Sequence, residues 1–391
     1  MMTIRGIAVY PKFLALLLVL LVGLAGFRYW TVQGQQKQPG APAALQPHPE
    51  LLVEPAWLAS HLGDSHLRIV DLRQPADYQA GHIPGAVYFS SESLFVTRNG
   101  IAGMLPEIEQ VQELLRSAGI AADTVVVGYD DAVGLAPARL FWALDYAGQG
   151  NGRLLNGGWS AWSAANLPAS KDGVTPPRSE FVAKPQSDRL AEVDWVKSHI
   201  GISDTAFVDA RSIEEYTGKR GMAKRLGHIP GAIHSEWRTY LERDGRFRDP
   251  AQLLAEFAAK GLVPDKEAVP YCQVLARGAH AYFTLRWLGF PRVRGYDGSW
   301  AEWGNRDDTP IENTPPRSST EAPSSTESHV ASPALREGLT EPEVRAILGE
   351  PAHQELQNPC WGRQSVWRYG ANSGSALRLV FVDGVLRQIV K

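Results

Sequence analysis

Ile69-Val70-Asp71-Leu72-Arg73 and then Gly81-His82-Ile83-Pro84-Gly85-Ala86 stand early in this chain, and both recur near its middle. The second copies read Phe207-Val208-Asp209-Ala210-Arg211 and Gly227-His228-Ile229-Pro230-Gly231-Ala232. Gly157-Gly158-Trp159-Ser160-Ala161-Trp162 likewise recurs as Gly298-Ser299-Trp300-Ala301-Glu302-Trp303. The copies lie 138 residues apart at Asp71 and Asp209, 146 at His82 and His228, and 141 at Trp159 and Trp300. One eight-residue insertion around Lys219 to Arg225 accounts for the first change of offset. Self-similarity at a fixed period means repeated structural units. Two homologous domains therefore lie in tandem.

Within each copy the hydrophobic pattern switches between short apolar runs and helical spacing. Val125 to Tyr129 and Ala268 to Tyr271 read as buried strands; Val111 to Ser117, Leu253 to Lys260 and Ala279 to Leu288 read as amphipathic helices. Alternation of this kind predicts an α/β fold with a mostly parallel sheet and flanking helices. The recurrent residues have structural readings. His82 and His228 precede Ile-Pro-Gly and suit turns held by an imidazole hydrogen bond. Asp71 and Asp209, at strand ends, suit pairing with an arginine, and Trp159, Trp162, Trp300 and Trp303 suit packing.

Cys272 is one of two cysteines, the other being Cys360. It closes the run Ala268-Val269-Pro270-Tyr271 and opens the loop Cys272-Gln273-Val274-Leu275-Ala276-Arg277, after which a helical pattern begins at Gly278. Backbone N–H groups and a helix N-terminus at that point favour a thiolate. Arg277 adds a positive charge. The bland alternative is a buried, inert cysteine. Aligning Tyr129 with Tyr271 sets Asp130 opposite Cys272, so only the second copy has a thiol at this place and the first is expected to be silent in any chemistry that needs it.

The V-D-x-R strand ends, the G-H-I-P-G-A turns, the C-Q-x-x-x-R loop and the D-G-S-W-x-E-W ending together resemble the rhodanese (sulfurtransferase) family, over roughly Leu51 to Arg306. The resemblance implies two α/β domains and sulfur transfer through a persulfide on Cys272. Gln273, Val274, Leu275, Ala276, Arg277 and Arg211 are the substrate-binding candidates it implies, with a small anionic sulfur donor and a thiol or cyanide acceptor. Related cysteine phosphatases place five residues between cysteine and arginine; four stand here, a tighter ring suited to one terminal sulfur. Two departures matter. Leu275 stands where many such loops have glycine, so its bulk is expected to narrow the entrance or alter the acceptor. Glu215 stands where mercaptopyruvate-using members have arginine, which favours thiosulfate as donor. A non-catalytic binding or redox-sensing protein on the same scaffold is the competing reading.

With 391 residues the chain has room for two or three domains. A formal net charge of −3 gives no support for nucleic-acid binding. The histidines lack metal-ligand spacing and no cofactor motif is present, so neither a metal nor a cofactor is expected.

Arg5 and Lys12 precede the apolar run Phe13 to Phe27, which reads as a signal anchor or signal peptide over residues 1–30. Its helical length of roughly 22 Å falls short of a ~30 Å hydrocarbon core unless Lys12 and Arg28 snorkel. Gly23-Leu24-Ala25 would serve a signal peptidase; Tyr29 and Trp30 favour an uncleaved anchor. Residues 31–50 read as a tether, 51–168 and 190–306 as the two domains, and 307–333 as a disordered linker. Residues 335–391 read as a small α+β domain with strands Val366 to Tyr369, Leu377 to Val382 and Val385 to Val390. That domain resembles the SmpA/OmlA small lipoprotein domain, which implies an envelope protein partner. Inner-membrane anchoring facing the periplasm, or a periplasmic location after cleavage, is the expected placement.

Overall fold

The computed structural model describes residues 45, 47–316, 335, 341–357, 364–369, 377–382 and 385–390. The N-terminal apolar segment, most of the tether, residues 317–333 of the second linker, Cys360 and the Asp383-Gly384 turn lie outside the described residues.

The first domain runs β1 (Leu52–Val53), α1 (Pro55–Ser60), β2 (Leu67–Asp71), α2 (Pro75–Ala80), β3 (Val87–Tyr88), β4 (Val96–Arg98), β5 (Ile101–Met104), α3 (Ile108–Ser117), β6 (Val125–Tyr129), α4 (Leu135–Tyr146), β7 (Gly152–Leu155) and α5 (Gly158–Ala164). Its five-stranded parallel sheet has the order β1-β7-β6-β2-β3. The central strand β6, Val-Val-Val-Gly-Tyr, is apolar along its length because helices cover both faces. β4 and β5 form an antiparallel hairpin outside that sheet.

The second domain repeats the plan with β8 (Leu190–Ala191), α6 (Val193–His199), β9 (Thr205–Asp209), α7 (Ile213–Tyr216), β10 (Ile233–His234), α8 (Pro250–Ala259), β11 (Glu267–Tyr271), α9 (Ala276–Trp287), β12 (Gly295–Tyr296) and α10 (Ser299–Trp303). β10-β9-β11 and β12-β8 pair in parallel, and a parallel bridge from Ala268 to Val293 joins them into the same strand order. The register matches too: Asp71 lies across from Tyr129, and Asp209 from Tyr271.

α4 and α9 are buried on nearly every side. Each is covered by its own sheet and, opposite, by the other domain, which is why both are apolar around most of their circumference. One large core cluster accordingly contains Phe141 and Leu144 of α4 together with Tyr282 and Phe283 of α9. Arg139 in α4 donates to Asp297 of the second domain at 2.8 Å, both side chains being buried.

The turn histidines and strand-end aspartates have the structural roles expected. His82 stacks on Tyr78, and His228 on Tyr216 with ring centroids 3.6 Å apart. Asp71 and Asp209 accept from Arg73 and Arg211 at 2.6 Å, and those guanidiniums lie over Trp159 and Trp300 at 4.4 Å. The first domain runs past its expected end at residue 168, and the linker expected from residue 307 begins later. After α5 the chain returns to the first domain, with Ser170 bridged to His82 and Phe181 buried. The expected disorder from residue 307 is corrected in the same way: Glu312 bridges to His228, and Pro310 accepts from the Trp303 indole at 2.8 Å. Each indole N–H buried at a domain end needs an acceptor, and the trailing strap supplies it; Trp162 and Pro168 repeat the bond at 2.9 Å.

The C-terminal unit has α11 (Glu341–Leu348) and an antiparallel sheet of β13 (His353–Gln357), β14 (Gln364–Tyr369), β15 (Leu377–Val382) and β16 (Val385–Val390). Val344, Trp367, Leu379, Phe381 and Leu386 form its core. The sequence hides β13, whose His-Gln-Glu-Leu-Gln has low strand preference and takes its form from pairing with β14.

Candidate active site

Parallel strands deliver their C-terminal ends to one edge of a sheet, and in open α/β sheets ligands bind there. Cys272 leaves β11 at that edge and is 1% exposed. Ser299 fixes the loop that follows. Its Oγ accepts from the amides of Cys272 at 3.2 Å and Leu275 at 3.1 Å and donates to the Tyr296 carbonyl at 2.8 Å. The amides of Trp300 and Ala301 bind the carbonyls of Cys272 and Gln273. Among the described residues, no hydrogen bond takes the amides of Gln273, Val274 or Ala276. Those N–H groups, at the N-terminus of α9, form a cradle for negative charge on a cysteine-bound sulfur.

The silent loop has the same frame and a different occupant. Trp159 and Ser160 bind the carbonyls of Asp130 and Asp131, as Trp300 and Ala301 do in the second domain. Asp130 is thereby confirmed as the counterpart of Cys272. Its Oδ1 accepts from the amides of Ala132 at 3.1 Å and Gly134 at 2.9 Å, so a carboxylate of the chain itself fills the cradle. Burial pushes the Asp130 carboxyl up, against the pull of those loop amides. The helix caps correspond as well, since Gly134 and Leu275 both have left-handed backbone. Five residues span Asp130 to Gly134, whereas four span Cys272 to Leu275.

The structure brings the other candidates together in ways the sequence did not disclose. Arg277 does not stand as an open cation: Glu215 receives its two guanidinium nitrogens at 2.6 and 3.0 Å, both residues being buried. Burial alone would raise the Glu215 carboxyl, but the Arg277 guanidinium, with Arg211 behind it, holds it at about 2. Glu215 is also the third residue of a capping box begun by Ser212. The preference for thiosulfate expected from Glu215 therefore does not rest on an open negative charge, because Arg277 matches it.

Leu275 is corrected as well. It adopts φ +54°, and its fully buried side chain reaches Gly278, Gly295 and the neighbourhood of Trp142. Directed into the core, it cannot narrow the entrance or line it. Arg211 is fully buried on Asp209 and the Gly227 carbonyl, a strut beneath the site and not a substrate contact. Val274 and Ala276 are buried. Gln273 is half-buried, and its Oε1 has no hydrogen-bond partner among the described residues. Ser299 was missed as a site residue, although its place in the repeated Gly-Ser-Trp motif, opposite Gly158, marks it as a change between the halves.

A buried thiol at an amide-lined loop, in one half of a duplicated α/β fold, defines an enzyme that carries its group on cysteine. Residues 54–165 and 192–306 match the rhodanese-like domain family. The chain is 37% identical over 262 residues to a thiosulfate sulfurtransferase of Azotobacter vinelandii, covering 67% of this chain and 97% of that protein. It is 30% identical over 269 residues to the 3-mercaptopyruvate sulfurtransferase of Escherichia coli, covering 66% and 95%. A solved structure of the anaerobic ergothioneine biosynthesis enzyme from Chlorobium limicola matches with TM-score 0.62 and 26% identity, covering 71% of this chain and 74% of that one. The chain belongs to the rhodanese family, and it is a sulfurtransferase of the tandem-domain kind.

Proposed function

We propose that this sulfurtransferase takes its sulfur from thiosulfate and passes it to a small thiophilic acceptor such as cyanide or a thiol. The observation that carries the reading is the cradle of unclaimed loop amides beside a deeply buried Cys272. The Cys272 thiolate attacks the outer sulfur of thiosulfate, the sulfur–sulfur bond of the donor breaks, and sulfite leaves with its electron pair. The enzyme then holds a persulfide whose negative terminal sulfur accepts from the loop amides. Cyanide attacks that sulfur and departs as thiocyanate, returning the thiolate. With Arg277 matched by Glu215, the loop offers dipoles more than net positive charge, and a donor with a separate carboxylate gains less from it.

Mass spectrometry of the protein after thiosulfate exposure tests this: one added sulfur atom on Cys272 is expected. Cys272→Ser should abolish turnover and Asp130→Ala should leave it nearly unchanged. Catalytic efficiency should be higher with thiosulfate than with 3-mercaptopyruvate, and the reverse order would sink the donor assignment.

The apolar run Phe13 to Phe27, with its basic flank and following aromatics, supports an envelope location with the catalytic domains facing the periplasm. The C-terminal unit is the candidate contact for an envelope protein. Fractionation with alkaline extraction, and mass determination of the mature N-terminus, distinguish an anchored protein from a cleaved one; recovery in the cytosolic fraction would refute both.

A further inference from the structure

The two domains roof each other's loops. The β4–β5 hairpin of the silent domain meets the catalytic loop at Gly103, where a Cβ would lie 2.5 Å from Val274 Cβ and 2.6 Å from its Cγ1. In the second domain the hairpin closed by the Leu241–Phe247 bridge meets the silent loop at Gly245, where a Cβ would lie 2.7 Å from the Ala132 carbonyl oxygen. The contact at Gly103 is pinned. Arg139 donates to the Gly103 carbonyl at 3.3 Å and to Asp297 at 2.8 Å, and the amide of Leu105 donates to Asp297 at 2.8 Å. Asp297 lies two residues before Ser299, whose hydroxyl holds Cys272 and Leu275. Hairpin, buried ion pair and catalytic loop therefore close a ring.

From this ring we infer that Gly103, in the silent domain, is a positioning residue for the nucleophile. Its bare Cα lets the hairpin press on Val274 and hold the amides of Gln273, Val274 and Ala276 in the arrangement that receives sulfur. The hairpin cannot retreat while Arg139 and Asp297 hold it, so a side chain at residue 103 displaces the loop. The inference rests on Cys272 being the nucleophile.

Two controls separate positioning from general damage. Gly100, in the same hairpin, shares the positive φ (+78° against +81°) but has nothing within 4 Å of its Cβ position. Gly245 reproduces the close contact against the silent loop. In the full chain, G103A is expected to slow both Cys272 alkylation by iodoacetamide and thiosulfate-to-cyanide turnover at least tenfold and to move the pH profile of alkylation. G100A and G245A should stay within about twofold of the parent, because neither added methyl group presses on the catalytic loop.

A double-mutant cycle with V274G completes the test. If the contact is the cause, G103A adds little in the V274G background. If G103A fails to fold, the same cycle is read in melting temperature: G103A/V274G equal to V274G supports the inference, and an undiminished further loss overturns it. Equal effects of G103A and G100A, of G103A and G245A, or additive effects in the cycle also overturn it. Alkylation is independent of sulfur transfer, so a parent protein that alkylates at Cys272 but transfers no sulfur refutes the proposed function and leaves the positioning test standing.

Discussion

Ser299 has φ +48°, a conformation that favours glycine, and its counterpart Gly158 has φ +55°. The second domain tolerates the strained serine because its hydroxyl satisfies two loop amides and one carbonyl. S299G should relieve the strain yet lose those bonds. Turnover is expected to fall at least tenfold while melting temperature changes by only a few degrees; unaltered turnover would remove Ser299 from the machinery. Glu215 makes a second prediction. Its carboxyl falls from an ordinary value of 4.5 to about 2, a difference equivalent to roughly 3 kcal/mol of stability. A depressed carboxyl stabilises the fold above its unfolded pKa, so the contribution persists at neutral pH and is lost as pH falls from about 4.5 towards 2. Unfolding followed against pH should show E215Q less stable at pH 7, with the gap closing in that acid window. At this scale the sequence spoke where partners are neighbours: Asp209 and Arg211 stand two residues apart and could be paired by eye. Glu215 and Arg277 stand 62 apart, and only the fold brings them together.

Helix α9 carries the next prediction. His280 lies on it fully buried, facing Trp237, Tyr240 and Phe247, with Phe247 stacked at 4.9 Å. Among the described residues neither ring nitrogen has a hydrogen-bond partner of good geometry, and the Val133 backbone only partly offsets the cost of burial. Burial drives the imidazole down to about 3, so it is neutral in the folded protein. The unfolded chain binds a proton on this histidine below its ordinary 6.5, and stability therefore drains away as pH falls from about 6.5 towards 3. H280F keeps a ring in the aromatic nest and removes the proton, and its melting temperature should fall less steeply between pH 6.5 and 4. Parallel curves for the two proteins would contradict the assignment. The helix was legible as a helix but not in its surroundings, for it was read as amphipathic and is buried on nearly every side; β6 was legible from its valine run. The hairpin β4–β5 was not, because Ile-Ala-Gly-Met carries no clear alternation and its form comes from the neighbouring domain.

At the scale of the molecule, the tandem domains account for nearly the whole of the relatives they resemble, 97% of the Azotobacter protein. Their trailing strap ends against His228 at Glu312. A fragment of residues 45–316 should therefore fold and transfer sulfur with unchanged catalytic efficiency, measured beside the full chain. A large loss would mean that the C-terminal unit takes part in catalysis. The duplication was readable because its motifs sit at strand ends and turns, where backbone geometry restricts residue choice. The mutual roofing was not, because it depends on glycines whose neighbours come from the other half.

The unequal loops carry a consequence for redesign. Asp130 to Gly134 is one residue longer than Cys272 to Leu275, between matching anchors on both sides. A thiol placed at position 130 would stand in a loop one residue longer than the catalytic one, so substitution alone would not reproduce the Cys272 cradle there. The two halves thus differ in chain length as well as in chemistry, and a point substitution by itself cannot make them equal.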